Sequence, residues 1–159
     1  MTERQHTCCF TGHRPQKLRR PEEAIKADLK QAILAAIDDG YTTFITGMAM
    51  GTDIWAGEII TALRTSHPGL MLIAAVPFPS FPDRWSEDWR RRYGELLDSA
   101  DEIHFICSSY SPAAFQRRNE WMVDRSTRVI AVFNGEPGGT KNTIDYAKRM
   151  GAEVVMLDG

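Results

Sequence analysis

Apolar residues along this chain alternate between two periods. Short uniform runs at residues 7–11, 42–46, 70–76, 102–107, 129–133 and 154–157 read as strands. The run at 70–76 is too evenly apolar to be half exposed, which is the mark of a strand covered on both faces of a parallel sheet. Between them lie helical stripes. Residues 21–39 place Ile25, Leu29, Ala32, Ile33, Ala36 and Ile37 on one face and close at Gly40. Residues 53–66 carry Ala56, Ile59, Ile60 and Leu63, and Trp85, Trp89, Tyr93, Leu96 and Leu97 mark a third helix. Residues 115–126 and 143–150 supply two more. No long linker, repeat or low-complexity break interrupts the succession. The pattern predicts one domain, residues 1–159, of α/β class: a three-layer Rossmann-like sandwich with a mostly parallel sheet and right-handed crossovers.

Three of these strands end in glycine. Phe10-Thr11-Gly12-His13-Arg14, Ile45-Thr46-Gly47-Met48-Ala49-Met50-Gly51-Thr52-Asp53 and Phe133-Asn134-Gly135-Glu136-Pro137-Gly138-Gly139-Thr140 each pass from an apolar run into a loop that opens a helix. Glycine lets backbone N–H groups approach a ligand closely, and helix N-termini favour anions. In a parallel sheet these loops share the carboxyl edge, where ligands bind. A phosphate-bearing small molecule is the expected ligand.

Composition narrows this picture without redirecting it. Of 159 residues, 43% are hydrophobic and 25% charged, as in ordinary globular domains, and the net charge of −2 argues against a general nucleic-acid or membrane surface. Arg90-Arg91-Arg92 is offset by Asp83, Glu87 and Asp88. Cys8, Cys9 and Cys107 lack metal-ligand spacing and read as buried thiols, so no metal is expected. The first six residues show no apolar signal core and no run reaches membrane-spanning length, which predicts a cytoplasmic protein. Neither G-x-G-x-x-G nor the P-loop spacing is present, so the usual dehydrogenase and NTPase assignments fall, and no cofactor is assigned.

Thr11-Gly12-His13-Arg14 after the first strand, with Gly47-Met48-Ala49-Met50-Gly51-Thr52-Asp53-Ile54-Trp55-Ala56-Gly57-Glu58 after the second, resembles the YpsA-like (DUF1273) family. That family belongs to the SLOG superfamily of Rossmann-like domains, which also holds the DNA-processing protein DprA and the "lonely guy" phosphoribohydrolases. The similarity continues through Pro77-Phe78, Trp85, Arg118-Asn119 and the terminal Gly-Gly-Thr loop. It implies a nucleotide or nucleotide-derived ligand at the carboxyl edge of the sheet, and it implies no settled reaction.

Residue by residue, Gly12, Gly47 and Gly51 serve as tight turns or ligand contacts, with His13 and Arg14 reaching the crevice from a strand end. Met48, Ala49 and Thr52 share the second loop, and Asp53 reads as the N-cap of its helix, able also to face a ribose hydroxyl. Asn119 falls on an apolar stripe with Phe115, Met122 and Val123, so its amide must be hydrogen-bonded, by a strand-end loop or by the ligand. Arg118, Arg125 and Trp121 lie on a neighbouring face. Trp85 and Trp89 read first as core rather than as base-stacking platforms, while the stretch before them, from Pro77 and Phe78 to Pro82, suits a stiff flap over the crevice.

The phosphoribohydrolases share Pro-Gly-Gly-x-Gly-Thr-x-x-Glu. Here the stretch is Pro137-Gly138-Gly139-Thr140-Lys141-Asn142-Thr143-Ile144-Asp145. Phosphate binding by Gly138, Gly139, Thr140, Asn142 and Thr143 survives the comparison. Catalysis fares worse, because Asp145 is the shorter acid where Glu belongs. The leading reading is therefore binding or sensing of an ADP-ribose-like, nucleotide-derived ligand. The alternative is a nucleotide N-glycosidase or phosphoribohydrolase using Asp145 or Glu58 with Arg118. A DNA-associated role by analogy with DprA ranks last, for want of a basic stripe. A homo-oligomer is expected from the aromatic surfaces of the Trp85–Tyr93 and Trp121 helices.

Overall fold

The computed structural model describes residues 3–159, without the side chain of Glu3. Met1 and Thr2, which open the stretch read for a signal core, lie outside the described residues. The elements follow in the order β1 (Thr7–Gly12), α1 (Glu22–Asp38), β2 (Thr43–Thr46), α2 (Thr52–Leu63), β3 (Met71–Val76), α3 (Glu87–Ser99), β4 (Glu102–Phe105), α4 (Pro112–Asp124), β5 (Arg128–Phe133), α5 (Gly139–Arg149) and β6 (Glu153–Asp158). All six strands form one parallel sheet in the order β4-β3-β2-β1-β5-β6. Among the described residues no helix is long and apolar enough to cross a membrane.

The uniform apolar runs are explained by two cores that share the sheet. Cys8 and Phe10 of β1 join Leu29 and Ile33 of α1, Trp55 and Ile60 of α2, and Leu96 of α3 in the larger cluster. Cys9, between them, points to the opposite side, where Met122 and Val123 of α4 and Ala147 of α5 form the smaller one. Successive side chains of β1 thus enter different layers, and Cys8, Cys9 and Phe10 leave both faces of the strand's middle apolar.

Chain order makes the site. From β1 the chain steps outward through β2 and β3 to β4, under α1 to α3. It then returns to lay β5 against β1, and α5 leads on to β6 on the other face. Neighbouring strands β1 and β5 therefore send their loops apart and open a crevice between them, as at the switch point of other doubly wound sheets.

Several helix starts differ from the sequence reading: α3 begins at Glu87, past Trp85, and α4 at Pro112, three residues before the expected 115. Asp53 is not the N-cap of α2: Gly51 holds that place with φ 91°, and Asp53 is the second helical residue. The last helix begins at Gly139, four residues before the expected 143. Gly138, at φ 142°, turns the chain, and the N–H of Asn142 closes the first turn on its carbonyl at 2.9 Å. The aromatic residues from which a homo-oligomer is expected are half-buried at Trp85, Trp89 and Trp121 and also make contacts within the chain. Trp89 lies 6.3 Å from Trp55, and the Arg125 guanidinium sits 4.0 Å from the Trp121 ring centre.

Candidate functional site

A crevice of about 330 Å³ opens at the carboxyl ends of β1, β2 and β5. The first wall is the turn after β1. Gly12 is there for packing as much as for ligand access: a Cβ on it would stand 2.2 Å from Thr52 Oγ1 and 2.5 Å from Thr52 Cβ. The end of β1 can thus lie against the first turn of α2. His13 is buried, its ring stacked on Phe133 at 5.7 Å, and its Nε2 has no hydrogen-bond partner among the described residues. Burial, and then the Lys17 charge, hold its pKa below the usual value. Arg14 and Lys17 are exposed, line the crevice, and form no side-chain ion pair or hydrogen bond among the described residues.

The second wall is the loop after β2. Met48 is held at φ 64°, and its N–H donates to Thr46 Oγ1 at 3.3 Å. A non-glycine residue in that region is strained, and here neighbouring bonds hold it in place. A Cβ on Gly51 would come within 3.2 Å of the His13 carbonyl, so the first two loops are in close contact.

Beneath these loops lie two buried charges. Asp53 accepts from the Ala49 N–H at 3.3 Å through Oδ2, and its Oδ1 has no hydrogen-bond partner among the described residues. Arg118 of α4 donates through Nε to Asn119 Oδ1 at 2.8 Å and through Nη1 to the Gly47 carbonyl. The two groups reach Gly47 from either side, since a Cβ there would fall 2.8 Å from Asp53 Oδ2 and 2.9 Å from Arg118 Nη1. Burial pushes the Asp53 carboxyl up to about 6, against the opposing pull of Arg118 and the Ala49 N–H. Burial likewise lowers the Arg118 pKa, with Asp53 opposing.

A stability profile follows. Between the ordinary value of 3.8 and about 6, the folded state holds a proton on Asp53 that the unfolded chain releases. The stability present at the acid end is therefore lost as pH rises through about 6. At about 1.4 kcal/mol per pH unit, the loss is of the order of 3 kcal/mol. Urea unfolding of the wild type and Asp53→Asn from pH 4 to pH 7 checks it. The wild-type free energy should fall relative to the variant's, and parallel profiles would refute an elevated Asp53.

The third wall is the loop after β5 with the first turn of α5. Asn134 braces it: its Nδ2 donates to the Lys17 carbonyl at 3.0 Å, and its Oδ1 accepts the Glu136 N–H at 2.9 Å. Gly138, Gly139 and Thr140 line the crevice, and a Cβ on Gly139 would meet nothing within 4 Å. Phe81 and Phe115 close the remaining side.

The structure brings Gly12, His13, Arg14, Ala49, Asp53, Arg118, Asn119, Gly138, Gly139 and Thr140 to this one crevice. Phe78 and Trp85 line an adjoining cavity, joined to it through Arg14 and Phe81. Gly47, Met48, Gly51, Thr52, Pro77 and Thr143 do not line either space, and Asn142 opens onto a separate hollow beside Gln116. The two acids considered for catalysis are elsewhere. Glu58 is bound to Arg92 of α3 at 2.6 Å. Asp145 is turned to solvent and paired with Lys141 at 2.8 Å, because a helix starting at Gly139 buries Thr140, Thr143 and Ala147 instead. Asn119 also acts differently from expectation: Arg118 bonds the strand-end loop, and Asn119 holds Arg118. Arg125 lies over Trp121 and does not line the crevice. Sequence reasoning missed Lys17, Asn134 and Phe81, although an amide directly after the apolar run of β5 repeats the polar strand ends of the other two loops.

A model of the YspA SLOG family matches residues 8–154. Among curated proteins, the SPbeta prophage-derived protein YoqJ of Bacillus subtilis is 36% identical over 138 residues, covering 76% of this chain and 81% of YoqJ. A UPF0398 protein of Bacillus thuringiensis is 30% identical over 132 residues, covering 81% of this chain and 72% of that protein. Among solved structures, DNA processing protein A of Streptococcus pneumoniae superposes with a TM-score of 0.68 at 15% identity, over 99% of this chain and 52% of that one. This chain thus spans about half of that DprA. The structure describing the single-stranded DNA binding mode of the Helicobacter pylori DprA gives 0.65 at 16% identity, over 96% of this chain and 65% of that one. TM1055 gives 0.57 at 13%, over 94% and 72%. At these identities the structural likenesses speak for the fold.

Proposed function

This chain belongs to the YspA SLOG family, and on that footing we propose that it binds a phosphate-bearing, nucleotide-derived small molecule, of the ADP-ribose kind, in the crevice between β1 and β5. One observation carries the reading. Two unpartnered cations, Arg14 and Lys17, face the same small space as the glycine-opened N-terminus of α5. Free N–H groups, a helix dipole and guanidinium donors are the groups that hold a phosphate in water. The crevice volume, about 330 Å³, suits a phosphoribosyl group.

Calorimetric titration with AMP, ADP-ribose and NAD tests it, and at least one should bind. Gly139→Asp adds a carboxylate where a Cβ meets no neighbour. Folding should be retained, while binding weakens about ten- to a hundredfold, as expected when a charged hydrogen bond is lost. A variant that binds as tightly as the parent removes the phosphate from this end of the crevice.

The alternative, cleavage of an N-glycosidic bond, loses support from Glu58 and Asp145 but retains a carboxyl at the crevice in Asp53. Release of free base from nucleoside monophosphates distinguishes it from binding alone. A DNA-associated role draws only on the DprA likeness, and the net charge of −2 does not favour it.

A further inference from the structure

Beside the crevice lies a second, larger cavity of about 850 Å³. Phe78, Phe81, Trp85 and Tyr110 line it together with the polar Ser80, Asp83 and Arg84, and Arg14 and Phe81 line both spaces. Phe78 and Phe81 are core residues, but Tyr110, in the loop between β4 and α4, is 63% exposed. Tyr110 meets Phe78 and Phe115 edge-on and stays open to water at the cavity rim.

Ring geometry indicates what the cavity is suited to hold. Within this cluster every ring meets its neighbours edge-on or tilted, at 56° to 88°. Phe78 meets Tyr110 at 5.5 Å, and Phe81 meets Trp85 at 4.9 Å. Among the described residues no parallel stacking occurs within this cluster, whereas it occurs elsewhere, at Phe10–Phe44 and His13–Phe133. A flat heteroaromatic ring stacks on the open face of an exposed ring such as Tyr110, as bases do on aromatic side chains. Arg14 stands at the junction of the two spaces, where a phosphate joining two halves of one ligand would meet it.

We propose that this cavity is the base subsite of the same ligand, so that the chain takes a nucleotide whose ring lies among Phe78, Trp85 and Tyr110 while its phosphate lies beyond Arg14 at α5. The proposal rests on the phosphate reading above for the second half of the ligand only. Continuity through Arg14 and Phe81 ties the two halves together.

Three probes separate the subsites: ribose 5-phosphate, adenosine and ADP-ribose. Calorimetry should show ADP-ribose binding at least about tenfold tighter than ribose 5-phosphate. Tyr110→Ala, at an exposed position, should weaken ADP-ribose about five- to a hundredfold, leave ribose 5-phosphate unchanged, and be rescued by Tyr110→Phe. Adenosine should quench the fluorescence of Trp85 in the wild type and in Gly139→Asp alike, and should lose that effect in Tyr110→Ala. Equal binding of ribose 5-phosphate and ADP-ribose, or a Tyr110→Ala variant that still binds adenosine fully, overturns the base subsite. If adenosine quenches but no phosphate compound binds more tightly than adenosine, the phosphate reading is the one that fails.

Discussion

Gly12→Ala is expected to cost the fold about 3 kcal/mol or more, at the upper end of what one added methyl does in a packed core. In a domain of this size that lowers the melting temperature by roughly 6–12 °C. The reason is the identity of the neighbour. The new Cβ would stand 2.2 Å from Thr52 Oγ1 and 2.5 Å from Thr52 Cβ, and a Cβ cannot rotate away as a long side chain would. The first turn of α2 must move, and with it the loop that meets the turn after β1. Gly57→Ala is the natural comparison. Its nearest neighbour is Leu96 Cδ2 at 2.6 Å, the far end of a side chain that is able to shift, so its cost should be clearly smaller. Thermal melts that rank the two variants the other way would mean that β1 and α2 are less closely apposed than described.

Arg118→Leu should have the second large effect. It leaves two acceptors, the Gly47 carbonyl and Asn119 Oδ1, without their donor, and it takes away the cation that opposes the burial of Asp53. At about 1–3 kcal/mol for each of the two stranded acceptors, the loss is roughly 2–6 kcal/mol at neutral pH. The pH profile carries a further signature. Without Arg118 the Asp53 carboxyl titrates higher still, so the decline of stability with pH should move to higher pH. Chemical denaturation from pH 4 to pH 8 reads both effects. A variant as stable as the parent, with an unmoved profile, would show that Arg118 is an ordinary solvated arginine.

How much of this was legible beforehand depended on the kind of interaction. The strands could be read because β1, β3 and β5 are buried on both faces, which leaves no polar alternation to confuse them. The layers followed from the succession of strands and helices. The start of α5 did not, since Gly138-Gly139 reads as a helix breaker, and only the left-handed turn at Gly138 makes it a helix start. The correct start turns Asp145 outward. Asn119 was recognised as anomalous because an amide on an apolar stripe demands a partner. Arg118, next to it, gave no comparable signal, because an arginine on a helix is ordinarily solvated and its burial here depends on a loop 71 residues away. The crevice was predictable from three strand ends, whereas the cavity beside it, built by a proline-rich segment and Tyr110, depends on ring orientations that no spacing encodes.

The adjacent cysteines of β1 have a use that their burial confers. Cys8 and Cys9 are both inaccessible, and burial pushes both thiols up, Cys9 to about 12. They share a peptide bond yet belong to different layers, one under α1 to α3 and the other under α4 and α5. A thiol reagent in solution therefore meets each of them only when its own layer parts from the sheet. The chain carries a natural pair of chemical clocks, one residue apart, that time the separate breathing of its two halves.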